Sequence, residues 1–483
     1  MSVSINKAVR TAPYMPSIYG NTPEKHFYDL PDAVSVTVSD IFPAITPAIY
    51  KFGDDLKIIA DATRESLKNV DMSKIQQEDT INLCCSEHGF TLLGGNAYVT
   101  MIKTIKEVVE ERTNNQNIRL RLCMYRTPAE AKEVIEYYHL REQFDCEIMG
   151  CGPFDEGVEI DTYIGKLYGL KKVYDADWFI YAYYDDPREM YVHRSYNRCL
   201  KSFMMNFARY EVRSCVHNTY GPSSAMIIPQ AIFDSEFVQN KFAFGTFLMT
   251  APTGVVEIRS DTDLYAIDRA SQINMLKNYE MMRELFSQLD PYIAVWDGGR
   301  WGYYLHTGGL VFGSAEISHY PFFDLDVPYT MDRSKMMGGY DGGVMAKGVG
   351  DSPILKGIVS NQSWIGLNVS FVAHGTPTWC VGEEQLNMYR HDPTNQGFMP
   401  GMAWADLVTL TDTLEHGIAE AQEKTGVKNV IAFDGNFGAI NCNREAAEDI
   451  IKKAAPIHDH VMKEVYPKLL RQRGIDPTEV LGE

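Results

Sequence analysis

Short apolar runs alternate with amphipathic helical stretches along most of this chain, and that alternation limits the fold more than any other feature. Runs at 81–85, 118–124, 146–149 and 178–182 have the length and buried character of strands. Between them, 98–113, 127–140 and 162–174 read as helices. In the first of these, Met101, Ile102, Ile105, Val108 and Val109 share one face. Pro128 suits the opening turn of the second. Strands separated by helices predict an α/β fold with largely parallel sheets. Ligands of such sheets bind in the loops beyond the strand carboxyl ends.

The second half repeats the pattern. A long apolar stripe over 266–289 predicts a helix joining two domains. Strands follow at 293–296 and 430–433, with helices at 402–425 and 445–472, the last interrupted by Pro456. The glycine-rich 336–350 reads as a mobile loop, and the proline-rich 1–30 as an extended arm. The expected architecture is two-domain α/β: mostly parallel sheets flanked by helices, with a ligand cleft between the domains. An N-terminal α/β domain would span 1–265 and carry the catalytic cluster. A C-terminal α/β domain would span 266–444, and helices over 445–483 would pack back on the first domain.

Composition narrows the partners. Across 483 residues, 45 basic against 64 acidic side chains give a net charge of −19. So acidic a surface repels phosphate backbones, which argues against nucleic acid. No run approaches the ~18 apolar residues of a membrane helix, and the first residues lack the apolar core of a signal peptide. Nine cysteines without a C-x-x-C pair predict free thiols in a reducing cytoplasm. Asn361-Gln362-Ser363 and Asn368-Val369-Ser370 then read as chance glycosylation sequons. A small anionic organic substrate fits if positive charge is concentrated locally, and a homo-oligomer is compatible with the composition.

Local charge is densest over 185–201, directly after the strongest strand. Arg194, Arg198 and Lys201 would share a helical face suited to a carboxylate or phosphate; the competing reading is a face salt-bridged to Asp185, Asp186 and Glu189. Glu87 and His88 form a titratable pair at a strand end, where the competing reading is a histidine bonded to its own turn. Asp297-Gly298-Gly299 and Asp434-Gly435 follow apolar strands, and glycines there let a backbone approach a ligand. Neither loop matches a dinucleotide or Walker pattern, so each also reads as a plain tight turn.

The order of these runs resembles the nickel-dependent lactate racemase family. The matching segments are Leu83-Cys84-Cys85-Ser86-Glu87-His88, Asn117-Ile118-Arg119-Leu120-Arg121-Leu122, Tyr125-Arg126-Thr127-Pro128, Asp175-Ala176-Asp177-Trp178-Phe179-Ile180, then His193 with Lys201-Ser202, and the closing strand with Asp434-Gly435. The resemblance implies racemisation or epimerisation at C2 of a small 2-hydroxy acid. It implies a nickel-pincer nucleotide tethered to Lys201, with Gly298, Gly299, Asp434 and Gly435 lining it. It also implies His193 as acid–base and metal-side residue, His88 as a second catalytic group, and Arg194, Arg198 and Glu87 on the substrate. The chain departs from the family where Asn197-Arg198-Cys199-Leu200 replace the glycines before the lysine, Tyr125-Arg126 the first catalytic histidine, and Phe90 an arginine. Two other readings stand beside it: the same fold without the pincer doing acid–base chemistry of lyase or dehydratase type, and a non-catalytic binding or assembly protein.

Overall fold

The computed structural model describes residues 3–10, 23–86, 89–90, 95–124, 129–185, 194–215, 226–297, 321, 323–327, 354–361, 376–383 and 408–482. Its strands, in chain order, are β1 (Ile5–Lys7), β2 (Val34–Thr37), β3 (Ile81–Ser86), β4 (Ile118–Cys123), β5 (Ile148–Cys151), β6 (Gly157–Thr162), β7 (Gly165–Leu170) and β8 (Trp178–Asp185). They continue with β9 (Phe242–Ala251), β10 (Gly254–Asp261), β11 (Tyr292–Asp297), β12 (Leu355–Asn361), β13 (Thr378–Val381), β14 (Thr409–Thr411), β15 (Asn429–Phe433) and β16 (Ala439–Cys442). The principal helices are α1 (Lys57–Leu67), α2 (Gly95–Thr113), α3 (Ala129–Tyr137), α4 (Leu264–Gln288), α5 (Leu414–Thr425) and α6 (Arg444–His460). The fold is α/β, with largely parallel sheets flanked by helices.

One sheet has the order β10-β9-β8-β3-β4-β5, parallel throughout except for the antiparallel edge strand β10. Its central strands are buried on both faces, as parallel sheets require. Leu83 and Cys85 point to a core shared with Ile59 and Leu67 of α1 and Ile102 and Ile105 of α2. Cys84 points the other way, to Tyr181, Phe207 and Ile267. The second sheet has the order β1-β2-β16-β15-β11-β12-β13-β14, parallel from β15 to β14. Ala294 and Trp296 face a core with α6 and the second half of α4. Ile293 and Val295 face Leu414 and Ala421 of α5.

Helix α4 begins at an Asp263 cap whose side chain accepts the Tyr265 N–H at 2.9 Å. Leu264 and Ile267 lie in the core of the first sheet, and Met275 to Leu289 in the core of the second. One helix therefore anchors two cores, at about 1.5–3 kcal/mol per fully buried large apolar side chain.

Several expectations are corrected. Residues 162–170 are not helical: they belong to the hairpin β6–β7, and only the single helical turn Lys171–Tyr174 follows. Gly165 turns the hairpin at φ +113°, a backbone conformation no helix contains. Pro456 does not interrupt its helix: α6 runs through it on an exposed face, and a π-helical turn, Val461–Val465, follows. The helix expected over 402–425 starts only at Leu414, where Thr413 caps it, while 402–407 lie outside the described residues. In the early chain, β1 pairs with β2, and β2 adds to the edge of β16 in the second sheet. The C-terminal helices pack chiefly on that sheet and α4, and Arg473 donates to the Arg194 carbonyl at 2.5 Å.

Candidate functional site

Each sheet has one place where the chain leaves neighbouring strands in opposite directions, and in doubly wound sheets ligands bind there. In the second sheet that place lies between β11 and β15. From β11 the chain moves outward to β12, β13 and β14, then returns to β15 on the other side. Asp297 is the last residue of β11, and Asp434 directly follows β15. Two carboxylates thus stand side by side at the carboxyl edge.

Asp297 is fully buried and heavily bonded. His26 Nδ1 lies 2.9 Å from its Oδ1, and Asn361 at the end of β12 donates Nδ2 to the same oxygen at 2.9 Å. The Phe27 amide donates to Oδ2 at 2.5 Å. The early chain brings these groups because Phe27 packs its ring against Ile293, Val295 and Val359. That anchor, with the His26 N–H bonded to Asp29 at 3.0 Å, sets a single 3-10 turn and fixes the imidazole over the strand end. The Tyr28 ring stacks on the imidazole, 5.0 Å between centroids at 16°. Burial works against the His26 charge, but the Asp297 hydrogen bond and the charges of Asp297, Asp29 and Asp434 outweigh it and raise its pKa.

Asp434 is buried too. Asn441 of β16 donates to its Oδ2 at 2.6 Å, and the Asn436 amide reaches its Oδ1 at 3.1 Å. Gly435, at φ +71°, lets the loop double back for that second bond. Burial, helped by the charge of Asp297, pushes the Asp434 carboxyl up to about 7. Asn441 is itself clamped to the early chain, accepting the Val9 N–H and donating to the Val9 carbonyl, both at 2.8 Å.

In the first sheet the corresponding place lies between β3 and β8. There the expected basic cluster is dispersed. Arg194, Ser195 and Asn197 have φ of 53°, 51° and 53°, so no α-helical face joins Arg194, Arg198 and Lys201. The Asn197 and Cys199 amides point instead at buried Asp268, each 3.0 Å from its carboxylate. Arg198 forms an ion pair with Asp185 at 3.2 Å, the two side chains 1% and 0% exposed. Ser271 of α4 donates to the same carboxylate at 2.6 Å. Arg194 donates to the carbonyls of Val327, at 3.1 Å, and Asp324. Lys201 sits in the 3-10 turn Arg198–Phe203 and is 8% exposed between fully buried Cys199, Leu200 and Phe203. Glu87, His88, His193, Gly298 and Gly299 lie outside the described residues.

These surroundings bear on a tethered nickel nucleotide. Lys201 is 8% exposed, and among the described residues no three His, Cys, Asp or Glu groups are placed to hold a metal ion together. Of the residues that the resemblance assigns to that group, His193, Gly298 and Gly299 lie outside the described residues, and no chemistry below is routed through it.

A short path joins the two carboxyl edges. Thr250 of β9 donates to the Asp185 carbonyl at 3.2 Å, and Asn274 of α4 donates to the Thr250 carbonyl at 2.8 Å. Two residues on, the Pro252 carbonyl accepts the Gly438 N–H at 2.7 Å, in the loop that carries Asp434.

No protein-family model matches this chain, and no curated protein matches it. The sequence reading brought Asp297, Asp434 and Gly435 to one edge but missed His26, Asn361 and Asn441. His26 lay in a stretch read only as an arm. Asn361 was read only as part of a sequon. No local signal marks Asn441, whose role depends on β16 pairing beside β15.

Proposed function

We propose that the chain is an enzyme moving a proton at C2 of a small 2-hydroxy acid, an isomerase of racemase or epimerase type, with His26, Asp297 and Asp434 handling protons. The observation that carries this reading is the convergence of the His26–Asp297 pair and the buried Asp434 at the carboxyl edge between β11 and β15. Two titratable groups in unlike environments suit opposite halves of a proton transfer. One breaks the C2–H bond and keeps the proton; the other supplies a proton to C2, so nothing is oxidised or reduced. Asp434, poised near neutrality, can serve in either form. Asp297 orients His26 and stabilises its cation. The family resemblance supports the hydroxy-acid class. The nine unbridged cysteines support a cytoplasmic setting, and among the described residues no helix is long and apolar enough to cross a membrane.

The test is incubation of enantiopure 2-hydroxy acids in D2O. The expected result is deuterium at C2 with inversion of configuration, and a loss of at least ~10²-fold in H26A and D434N. Release of water with formation of a 2,3-unsaturated acid would reassign the site to elimination. No exchange on any hydroxy acid would end the reading. Intact mass of protein co-produced with pincer-making enzymes tests Lys201 separately, because an adduct there would replace this assignment of proton-handling groups.

A further inference from the structure

We propose that the side-chain oxygen of Asn361 accepts the hydroxyl on the substrate's C2, so that the site tells hydroxy acids from acids lacking that donor. The inference rests on the acid–base reading above and adds the group that recognises the hydroxyl.

Asn361 ends β12 as Asp297 ends β11, and the two are cross-strand partners at the carboxyl edge. The amide nitrogen of Asn361 has two hydrogens to give, and both are used. One goes to Asp297 Oδ1 and the other to the Lys25 carbonyl, each at 2.9 Å. These two acceptors decide which way the amide faces. Turned over, its oxygen would meet a carboxylate and a carbonyl with no donor between them. What Asn361 has left to offer is therefore an acceptor alone. Its Oδ1 takes no hydrogen bond from any described residue, although Asn361 is only 3% exposed. An enclosed acceptor without a donor costs free energy, which a ligand's O–H recovers.

The same bonds tie this amide to the proton-handling pair. Asp297 Oδ1 meets both Asn361 Nδ2 and His26 Nδ1, each at 2.9 Å. Amide and imidazole thus lie within two hydrogen-bond lengths of each other, on one carboxylate oxygen. Lys25, whose carbonyl takes the second amide proton, precedes His26, so Asn361 also holds the backbone that carries the imidazole. Asp297 occupies Nδ1, which leaves Nε2 for a substrate, and the His26 side chain is 21% exposed. A 2-hydroxy acid with its O–H on Asn361 Oδ1 has the carbon that bears it next to that imidazole. An ammonium is a donor too, but Asp297 already has its cation in His26, and a second one would be repelled by it.

The probes are lactate and malate, both enantiomers of each, titrated calorimetrically into the full chain. Propionate and succinate are their matches without the hydroxyl; alanine and aspartate carry an ammonium in its place. The preferred hydroxy acid should bind the wild type at least ~10-fold more tightly than either match, as expected for a buried acceptor left unpaired by the wrong ligand. In Asn361→Ala that preference should vanish, the hydroxy acid falling to the level of its deoxy match. In H26A, which removes the imidazole and leaves the amide, it should persist. If Asn361 only anchors the early chain, Asn361→Ala weakens both acids together and the preference survives, which overturns the proposal. So do a deoxy or amino acid bound by the wild type as tightly as the hydroxy acid, loss of the preference in H26A, and a wild type that binds no hydroxy acid. The wild-type series decides alone if Asn361→Ala does not fold. If the preference depends on Asn361 while H26A and D434N exchange the C2 proton like wild type, the hydroxyl site stands and the acid–base reading fails.

Discussion

His26 and Asp297 are 271 positions apart in the chain, yet His26 Nδ1 lies 2.9 Å from Asp297 Oδ1. The residue after His26, Phe27, lies in the buried cluster built by Ile293 and Val295 of β11. The charge state of the pair is linked to that of Asp434, since each carboxylate's charge acts on its neighbours.

Stability should fall as pH rises through neutrality. The Asp434 carboxyl titrates near 7 in the fold, against 3.8 ordinarily, so the folded chain keeps a proton that the unfolded chain releases. The stabilisation is full below about pH 4 and is lost up to about 7, on the order of 4 kcal/mol across the window. His26, raised above 6.5, adds to the loss in the same direction. The wild-type thermal midpoint should drop between pH 5.5 and 8.5, and D434N should flatten the drop. A wild-type midpoint that climbs over this range, or an equal slope in D434N, contradicts the assignment.

Asn441→Ala should destabilise the fold by about 3 kcal/mol in urea, because it leaves both Val9 peptide groups and one Asp434 oxygen without their partner. The arm should also come loose, so trypsin should cut after Lys7 and Arg10 faster than in wild type. Unchanged cleavage would show that β1 alone holds the arm.

The Arg198–Asp185 pair is buried on both sides, so removing one charge strands the other. Arg198→Met should cost about 3–5 kcal/mol in chemical denaturation, and adding Asp185→Asn should recover part of it. The binding of hydroxy acids by Arg198→Met, measured where it remains folded, should equal that of wild type; a loss specific to acids would return Arg198 to the substrate.

Helix α4 has one end in each core. Ile267→Ala and Leu276→Ala remove buried side chains from the first and second core respectively, and each should cost about 2–5 kcal/mol. The tryptophans Trp178, in the first sheet, and Trp296, in the second, should report a single shared transition in each variant. Separate transitions would mean that the helix does not couple the cores.

The fold class was legible in the sequence because its cause is local. β3, β8 and β11 are buried on both faces, and such strands can only be near-continuous apolar runs. The helices between them, α2 above all, had to show an apolar face at helical spacing. The carboxyl-edge placement of Asp297 and Asp434 followed from the same pattern, since both directly end apolar strands. Where local signals conflicted, as at Gly165, the apolar spacing suggested a helix and the positive-φ glycine made a hairpin.

Partners were decided by the tertiary structure alone. Hydrogen bonds and desolvation depend on which segments meet in space, and His26, Asn361 and Asn441 come from three distant parts of the chain. Arg198 had the charge, the neighbours and the strand-end position of a ligand group, yet its contact with Asp185 buries it as a structural ion. A charge in sequence carries no information on whether the fold will neutralise it. That depends on the burial and pairing of groups brought together only when the sheets and α4 pack.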